Sequence, residues 1–251
     1  MKAPSVIFLP GFMCDGRLFG AQMKHLSAIG YDCRAGDLSG AATIERMAST
    51  VLSNAPARFA LVGLSMGGIV AFEIMRQAPD RVTHLALLNT TARRDTAGQV
   101  RKNQMKRVVA GELSLVLREE LKPQYLAEAN RKPSTLSLLE SMGRQLGVDA
   151  FVQQTMALTI RRDAFDVLGE IRCPTLVLAG ADDRVCPVDR HEEIARQVKG
   201  SKLQILESCG HISTLEKPDE VSVALQQLLE LRAARDGSQT LPRLRLIKNP
   251  N

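Results

Sequence analysis

Residues 59–68 read FALVGLSMGG, in which a short apolar run leads directly into the pattern G-x-S-x-G. The run is typical of a strand buried on both faces of a parallel sheet, and residues 69–76 after it have a helical pattern. A serine between a strand and a helix occupies a sharp, strained turn, and the glycines at 63 and 67 leave that turn room. The pattern therefore predicts that Ser65 is an exposed nucleophile at the end of a strand.

Short runs rich in Val, Ile and Leu predict the other strands of this sheet. The predicted strands cover residues 6–9, 59–62, 85–88, 175–179 and 203–206. Residues 31–34 are a sixth, weaker candidate. Apolar residues at helical spacing lie between them, as at Ile44, Met47, Ala48 and Val51. The alternation predicts an α/β fold with a parallel sheet, right-handed crossovers and helices on both faces.

Residues 91–162 interrupt this alternation because they contain helical patterns and no convincing strand. We expect a helical insertion there that acts as a substrate-covering cap, since ligands of open α/β sheets bind beyond the carboxyl ends of the strands. An insertion that serves packing alone is the alternative. Residues 1–90 and 163–235 then form the core, and residues 236–251 form a flexible tail.

The composition excludes several classes of protein. The chain has 251 residues, 45% hydrophobic and 24% charged, and no apolar run approaches the roughly 18 residues of a membrane span. Its net charge is +6, but it has no Trp and only two Tyr, so we expect no nucleic-acid partner. Five scattered cysteines and an apolar N-terminal run that stops at Pro10 predict a cytoplasmic protein, with no membrane partner.

A serine nucleophile requires a base that accepts its proton and an acid that orients the base. Among four histidines, His211 follows the last predicted strand, at the sheet end where Ser65 is expected. The acid should follow the strand at 175–179, where Asp182 and Asp183 are adjacent and point in opposite directions on an extended loop. We choose Asp183 as the orienting acid and interpret Asp182 as a turn-forming residue.

An acyl-transfer site also needs two N–H donors for the developing oxyanion. One should come from Met66, which follows the nucleophile, and the other from Phe12 in residues 9–13, which emerge from the first strand at the same sheet end. A simple strand-ending turn is the alternative for this segment. We expect Met13 and Leu64, together with the two donor residues, to border the substrate pocket.

These motifs resemble those of the α/β-hydrolase superfamily, and the likeness runs over most of the chain. GLSMGG at 63–68, GADDRVCP at 180–187 and CGHI at 209–212 stand in that family's order of serine, acid and histidine. The resemblance implies that Ser65 is the nucleophile, Asp183 the orienting acid and His211 the base. It also implies oxyanion donors at Phe12 and Met66. The serine turn is similar to that of small bacterial esterases and enol-lactonases.

Two features depart from the family pattern. Many members carry His-Gly where this chain has Pro10 and Gly11, so a side-chain hydrogen bond that helps to order the oxyanion loop is missing. The chain also begins directly at the strand that bears this loop, without the family's usual first hairpin. We therefore expect a sheet of about six strands, all parallel, with the cap inserted after the fourth strand.

The predicted function is hydrolysis of a carboxylic ester or lactone, a small-molecule substrate, through an acyl-serine intermediate without a metal or organic cofactor. The same residues serve thioesterases, carbon–carbon hydrolases and perhydrolases, so these remain alternatives. A carbon–carbon hydrolase would want a polar pocket, for which the basic run at 93–107 is a candidate, although a solvated helix face also explains that run. A small-molecule receptor without turnover is the rival from another class.

Overall fold

The computed structural model of the protein describes residues 4–231. Six strands form one sheet in the order β2-β1-β3-β4-β5-β6, and every neighbouring pair is parallel. The predicted α/β fold with about six parallel strands is confirmed. The expected tail at 236–251 lies outside the described residues. The strands are β1 (Ser5–Leu9), β2 (Asp32–Ala35), β3 (Phe59–Leu64), β4 (Val82–Leu88), β5 (Thr175–Gly180) and β6 (Lys202–Leu206).

Helices connect the strands and cover both faces of the sheet. Outside the segment between β4 and β5, they are α1 (Gly20–Ala28), α2 (Ile44–Asn54), α3 (Met66–Gln77), α8 (Val188–Gln197), α9 (Ser213–Glu216) and α10 (Pro218–Glu230). Between β4 and β5 lie α4 (Gly98–Arg107), α5 (Leu113–Leu115), α6 (Pro133–Ile160) and α7 (Phe165–Leu168). Within residues 4–231, no helix combines the length and the apolarity that a membrane crossing requires.

Each face of the sheet contributes to a separate apolar cluster. Along β1, Ile7 belongs to the cluster that contains residues of α2 and α3, whereas Val6 and Phe8 belong to the one that contains residues of α1 and α10. All five residues of β1 are buried. A strand covered by helices on both faces must be apolar at successive positions, and this explains the uninterrupted Val, Ile and Leu runs.

The segment between β4 and β5 is helical and packs against the carboxyl end of the sheet. Its fully buried residues Val108, Leu117 and Phe151 belong to the same cluster as Phe12 and Met13, which follow β1. The helix α6 is bent at Gly147, where φ is 82°. The insertion therefore contributes to the same core as the loop that leaves the first strand.

Candidate active site

Ser65 lies between β3 and α3 in a strained backbone conformation, with φ 55° and ψ −114°. A non-glycine residue is rare in this region of backbone space, and such strain persists only where the surroundings enforce it. Here the Ser65 N–H donates to the carbonyl of Leu88 at 2.9 Å, and the Thr90 hydroxyl donates to the Ser65 carbonyl at 2.8 Å. The neighbouring strand β4 thus holds the serine turn from its carboxyl end.

Gly67 allows the first turn of α3 to lie directly against the end of β1. A Cβ atom built on Gly67 would be 2.0 Å from the carbonyl oxygen of Leu9, a backbone atom that cannot move aside easily. The absence of a side chain therefore sets the distance between the serine turn and the loop that follows β1.

The structure brings Ser65, His211 and Asp183 into one hydrogen-bonded chain. His211 Nε2 is 2.8 Å from Ser65 Oγ, and His211 Nδ1 is 2.8 Å from Asp183 Oδ2. An ionised carboxylate only accepts hydrogen bonds, so Nδ1 carries the proton in this contact and the neutral ring keeps Nε2 free to accept the serine proton. The arrangement can therefore deprotonate the Ser65 hydroxyl.

Asp183 is held as a carboxylate by the hydrogen bonds around it. Burial by itself would raise the pKa of this carboxyl, but the opposing effects of the His211 charge and hydrogen bond, the Cys186 N–H and the Asn89 amide hold the pKa below its ordinary value. The N–H groups of Val185 and Cys186 both donate to Oδ1 at 2.8 Å. The Asn89 amide donates to Oδ2 at 3.0 Å.

Asp182 is exposed, and its side chain does not take part in this arrangement. Its backbone N–H donates to the carbonyl of Cys209 at 2.8 Å. Of the two adjacent aspartates, the structure therefore places Asp183 against His211.

The loop that carries His211, residues 207–211, is anchored by residues outside the sequence motifs. The His211 N–H donates to the Tyr125 carbonyl at 2.7 Å, and the two rings lie 5.3 Å apart. Glu216 Oε2 accepts the N–H groups of Gly210 and Ala127, both at 2.9 Å. A Cβ on Gly210 would be 2.4 Å from the Ala127 nitrogen, so this glycine lets the base loop and the insertion meet.

The expected oxyanion donors belong to two segments that adjoin the serine turn, the loop after β1 and the first turn of α3. Met66 is the first residue of α3, so its N–H has no acceptor within the helix. The N–H of Phe12 donates to no residue within 4–231. The role of these two N–H groups as oxyanion donors stays a prediction.

The oxyanion loop, residues 9–13, is held by two buried polar side chains of the insertion. The Gln154 side-chain oxygen accepts the Met13 N–H at 2.9 Å. The Lys122 ammonium donates to the Met13 carbonyl at 2.9 Å and to the Phe12 carbonyl at 3.5 Å. Sequence reasoning missed both residues, and they hold a loop that lacks the histidine side chain expected from the family pattern.

The predicted pocket residues Met13 and Leu64 are both fully buried. Leu64 belongs to the apolar cluster on the α1 and α10 face of the sheet. The Phe12 ring packs edge-on against Phe151, with 5.2 Å between ring centroids. The role of Met13 and Leu64 as walls of a substrate pocket stays a prediction.

His191, on α8, contacts the segment that follows β4. Its Nε2 accepts the N–H of Thr90 at 3.0 Å, and burial lowers the pKa of its imidazole. A neutral ring can accept this hydrogen bond, whereas a protonated one cannot. This buried histidine holds the segment after β4, whose Thr90 hydroxyl reaches the serine turn.

A serine on a strand-to-helix turn, joined to a histidine and an aspartate on later strand ends, is typical of serine hydrolases. The profile of the alpha/beta hydrolase family matches residues 6–224. The chain belongs to this family, as the sequence motifs predicted, and the prediction of a hydrolytic enzyme is confirmed.

Relatives with a described activity include esterases. The pimeloyl-[acyl-carrier protein] methyl ester esterase of Aromatoleum aromaticum is 23% identical over 249 residues, which cover 91% of this chain and 99% of that protein. A thermophilic esterase from Thermogutta terrifontis, solved with malate bound, is 28% identical and covers 91% of this chain and 90% of its own, with a TM-score of 0.82.

An enol-lactonase from Burkholderia xenovorans LB400 has the same fold. It is 20% identical, and the match covers 91% of this chain and 92% of the enol-lactonase chain, with a TM-score of 0.82. The likeness confirms the fold predicted from the chain order of strands and motifs.

We expect Gly67→Ala to lower the free energy of unfolding by about 1–3 kcal/mol or more, because its methyl group would collide with the Leu9 carbonyl. Gly20→Ala is the matched control, since a Cβ at Gly20 meets no atom within 4 Å and alanine favours the helix α1. That variant should keep or gain stability, by up to about 1 kcal/mol. Urea unfolding of both variants measures the difference, and equal stabilities would contradict the close approach.

Proposed function

We propose that the protein hydrolyses a small carboxylic ester or lactone, with Ser65 as nucleophile, His211 as general base and acid, and Asp183 as orienting acid. The hydrogen-bonded chain from Ser65 Oγ through His211 to Asp183 carries this proposal. Relatives described as a methyl ester esterase and a thermophilic esterase support ester substrates.

In the first half of the reaction, Ser65 Oγ attacks the carbonyl carbon while its proton moves to His211 Nε2. The carbonyl electron pair moves to oxygen, and the N–H groups of Phe12 and Met66 stabilise the resulting oxyanion. Collapse of this intermediate breaks the bond to the leaving oxygen, which takes the proton from His211. The alcohol departs, or for a lactone remains attached to the acyl chain, and Ser65 is acylated.

In the second half, His211 Nε2 takes a proton from water as that water attacks the acyl-serine carbonyl. A second oxyanion forms between the same two donors, and the bond to Ser65 Oγ breaks. The proton on His211 returns to Oγ, which restores the free serine and releases the carboxylic acid. Overall, one ester and one water give one acid and one alcohol, and one lactone and one water give one hydroxy acid.

The charges around the site favour both halves of this reaction. Asp183 remains a carboxylate at neutral pH because its pKa is lowered, and it stabilises the His211 imidazolium that forms in each half reaction. Met66 opens α3, so the oxyanion develops at the positive end of that helix dipole.

We also propose that residues 91–162 act as a cap that covers the substrate, with residues 1–90 and 163–235 as the core. Contacts from Lys122 and Gln154 to the oxyanion loop, and from Tyr125 to the base loop, support this role.

The proposed compartment is the cytoplasm, where thiols stay reduced, because the five cysteines are all unpaired. They are Cys14, Cys33, Cys173, Cys186 and Cys209.

We expect a fluorophosphonate to add once to the wild-type protein, at Ser65, and Ser65→Ala to lose both this adduct and all ester turnover. The hydroxyl supplies the attacking oxygen, and its removal should leave the fold intact because it is a small truncation. Intact mass, peptide mapping and turnover of a series of esters, lactones and thioesters measure these outcomes, with circular dichroism as the folding control. Undiminished turnover by Ser65→Ala would refute the proposal.

Asp183→Asn should lower kcat by about 10⁴-fold, because an amide in this position favours the wrong imidazole tautomer. Asp182→Asn is the matched control, since this neighbouring carboxylate is exposed, and its kcat should stay within about twofold of wild type. Both are measured with the best ester of the series. Equal effects at the two positions would argue against Asp183 as the orienting acid.

A specific observation favours substrates that carry a second, anionic group. Two residues of the basic run at 93–107 form ion pairs on the surface, Arg93 with Glu193 and Arg107 with Glu112. Arg101 differs, because its guanidinium lies 5.8 Å from the centroid of the Phe12 ring.

Arg101 belongs to a cluster in which cations outnumber anions. It and Arg161 both contact one buried carboxylate, Asp95, at 3.2 and 3.3 Å. Two guanidinium groups around a single carboxylate leave a net positive charge beside Phe12. We therefore propose the half ester of a dicarboxylic acid, or a carbon–carbon hydrolase substrate with a carboxylate, as the second candidate substrate class.

Arg101→Met should raise the KM for a monoethyl dicarboxylate about tenfold, because a charge-assisted hydrogen bond to the free carboxylate is lost. The KM for the matching neutral diethyl ester should not change. Lys102→Met, at an exposed position on the same helix, controls for loss of one surface charge. Equal KM changes for the two esters would contradict a carboxylate-binding role.

A further inference from the structure

Lys122 is a buried cation that forms no ion pair with any carboxylate of residues 4–231. Its side chain is almost fully buried, 1% exposed, in the turn Lys122–Tyr125 of the insertion. Its ammonium contacts the carbonyls of Met13 and Phe12 and the sulfur of Cys14, the last at 3.6 Å. The acidic group that acts on it electrostatically, Asp15, forms its own ion pair with Arg17 at 2.5 Å.

This placement is unfavourable for stability. Transfer of an ammonium group from water to a protein interior carries a large desolvation penalty, which neutral carbonyls offset only in part. Burial accordingly lowers the pKa of Lys122, and burial raises the pKa of the neighbouring Cys14 thiol, so a neutral thiol adds no compensating charge. A hydrophobic side chain of similar length would satisfy the packing without that penalty.

The contacts of this turn connect two loops of the proposed site. On one side the ammonium holds the carbonyls of Phe12 and Met13 in the oxyanion loop. On the other side it lies 4.9 Å from the Tyr125 ring centroid, and the Tyr125 carbonyl accepts the His211 N–H at 2.7 Å. One short turn therefore contacts the loop of the expected oxyanion donor and the loop of the base.

We propose that Lys122 is a positioning residue of the hydrolytic reaction: its ammonium fixes the oxyanion loop so that the Phe12 N–H points at the developing oxyanion. This inference rests on the proposed function of Ser65 and Phe12. Lys122 donates to the Phe12 and Met13 carbonyls, so it acts on the loop and not on the substrate. An oxyanion donor is effective only within about 0.5 Å of its productive position, and such precision requires a supporting side chain.

The test compares Lys122→Met with wild type and with Lys102→Met, an exposed lysine of the insertion. We expect kcat to fall about 10- to 100-fold in Lys122→Met, with KM within about threefold of wild type, because alignment matters most in the transition state. The melting temperature should stay the same or rise, since the buried charge is gone. Lys102→Met should match wild type in each measurement.

A trifluoromethyl ketone provides the readout that a merely structural role would not move. Its carbonyl carbon bonds to Ser65 Oγ, the serine proton moves to His211, and the carbonyl electron pair becomes an oxyanion between the two N–H donors. The inhibition constant of this ketone should rise in proportion to the loss of kcat/KM in Lys122→Met. Inhibition by the acid product, which forms no oxyanion, should change little.

Several outcomes would overturn the inference. One is that Lys122→Met has the kcat and the ketone inhibition constant of the wild type. Another is that its melting temperature falls while its ketone inhibition constant is unchanged. If Lys122→Met does not fold, Lys122→Gln takes its place, and failure of both to fold would mark Lys122 as structural. Ser65→Ala measured alongside separates the two proposals: an active wild type, an inactive Ser65→Ala and an undiminished Lys122→Met overturn the Lys122 role alone. A wild type without ester turnover overturns both.

Discussion

The contact between the first turn of α3 and the end of β1 is the constraint on which the rest of the site depends. Ser65 is forced into a left-handed backbone conformation there, and Gly67 lies against the Leu9 carbonyl. This contact brings the serine turn beside the oxyanion loop, since that loop is the direct continuation of β1. A side chain at position 67 would separate them, because its Cβ would collide with the Leu9 backbone.

Hydrogen bonds to an ionised carboxylate and to a neutral imidazole hold the remaining parts of the site around that contact. Asp183, held as a carboxylate by two backbone N–H groups and the Asn89 amide, lies 2.8 Å from His211 Nδ1, and His211 Nε2 lies 2.8 Å from Ser65 Oγ. His191, whose pKa is lowered by burial, stays a neutral acceptor for Thr90. One histidine thus donates a hydrogen bond to a carboxylate, and the other lies where burial opposes protonation.

The central features were predictable because each is encoded locally. Uninterrupted apolar runs predict buried parallel strands, and residues that directly follow those strands must meet at one sheet end, which is where Ser65, Asp183 and His211 lie. Lys122 and Gln154 were not predictable in this way. They belong to helical segments whose pattern indicates secondary structure alone, and their contacts depend on how the insertion folds over the loops.

The anchoring of the oxyanion loop by the insertion has a consequence for protein engineering. Exchanging this segment for that of another family member is an obvious route to a new substrate range, because the insertion is separate in sequence from the serine, acid and histidine motifs. Such a chimera would also remove Lys122 and Gln154, and with them the hydrogen bonds that hold Phe12 and Met13. A working graft must therefore retain these two side chains or bring equivalent ones, so the module that can be exchanged is smaller than the insertion itself.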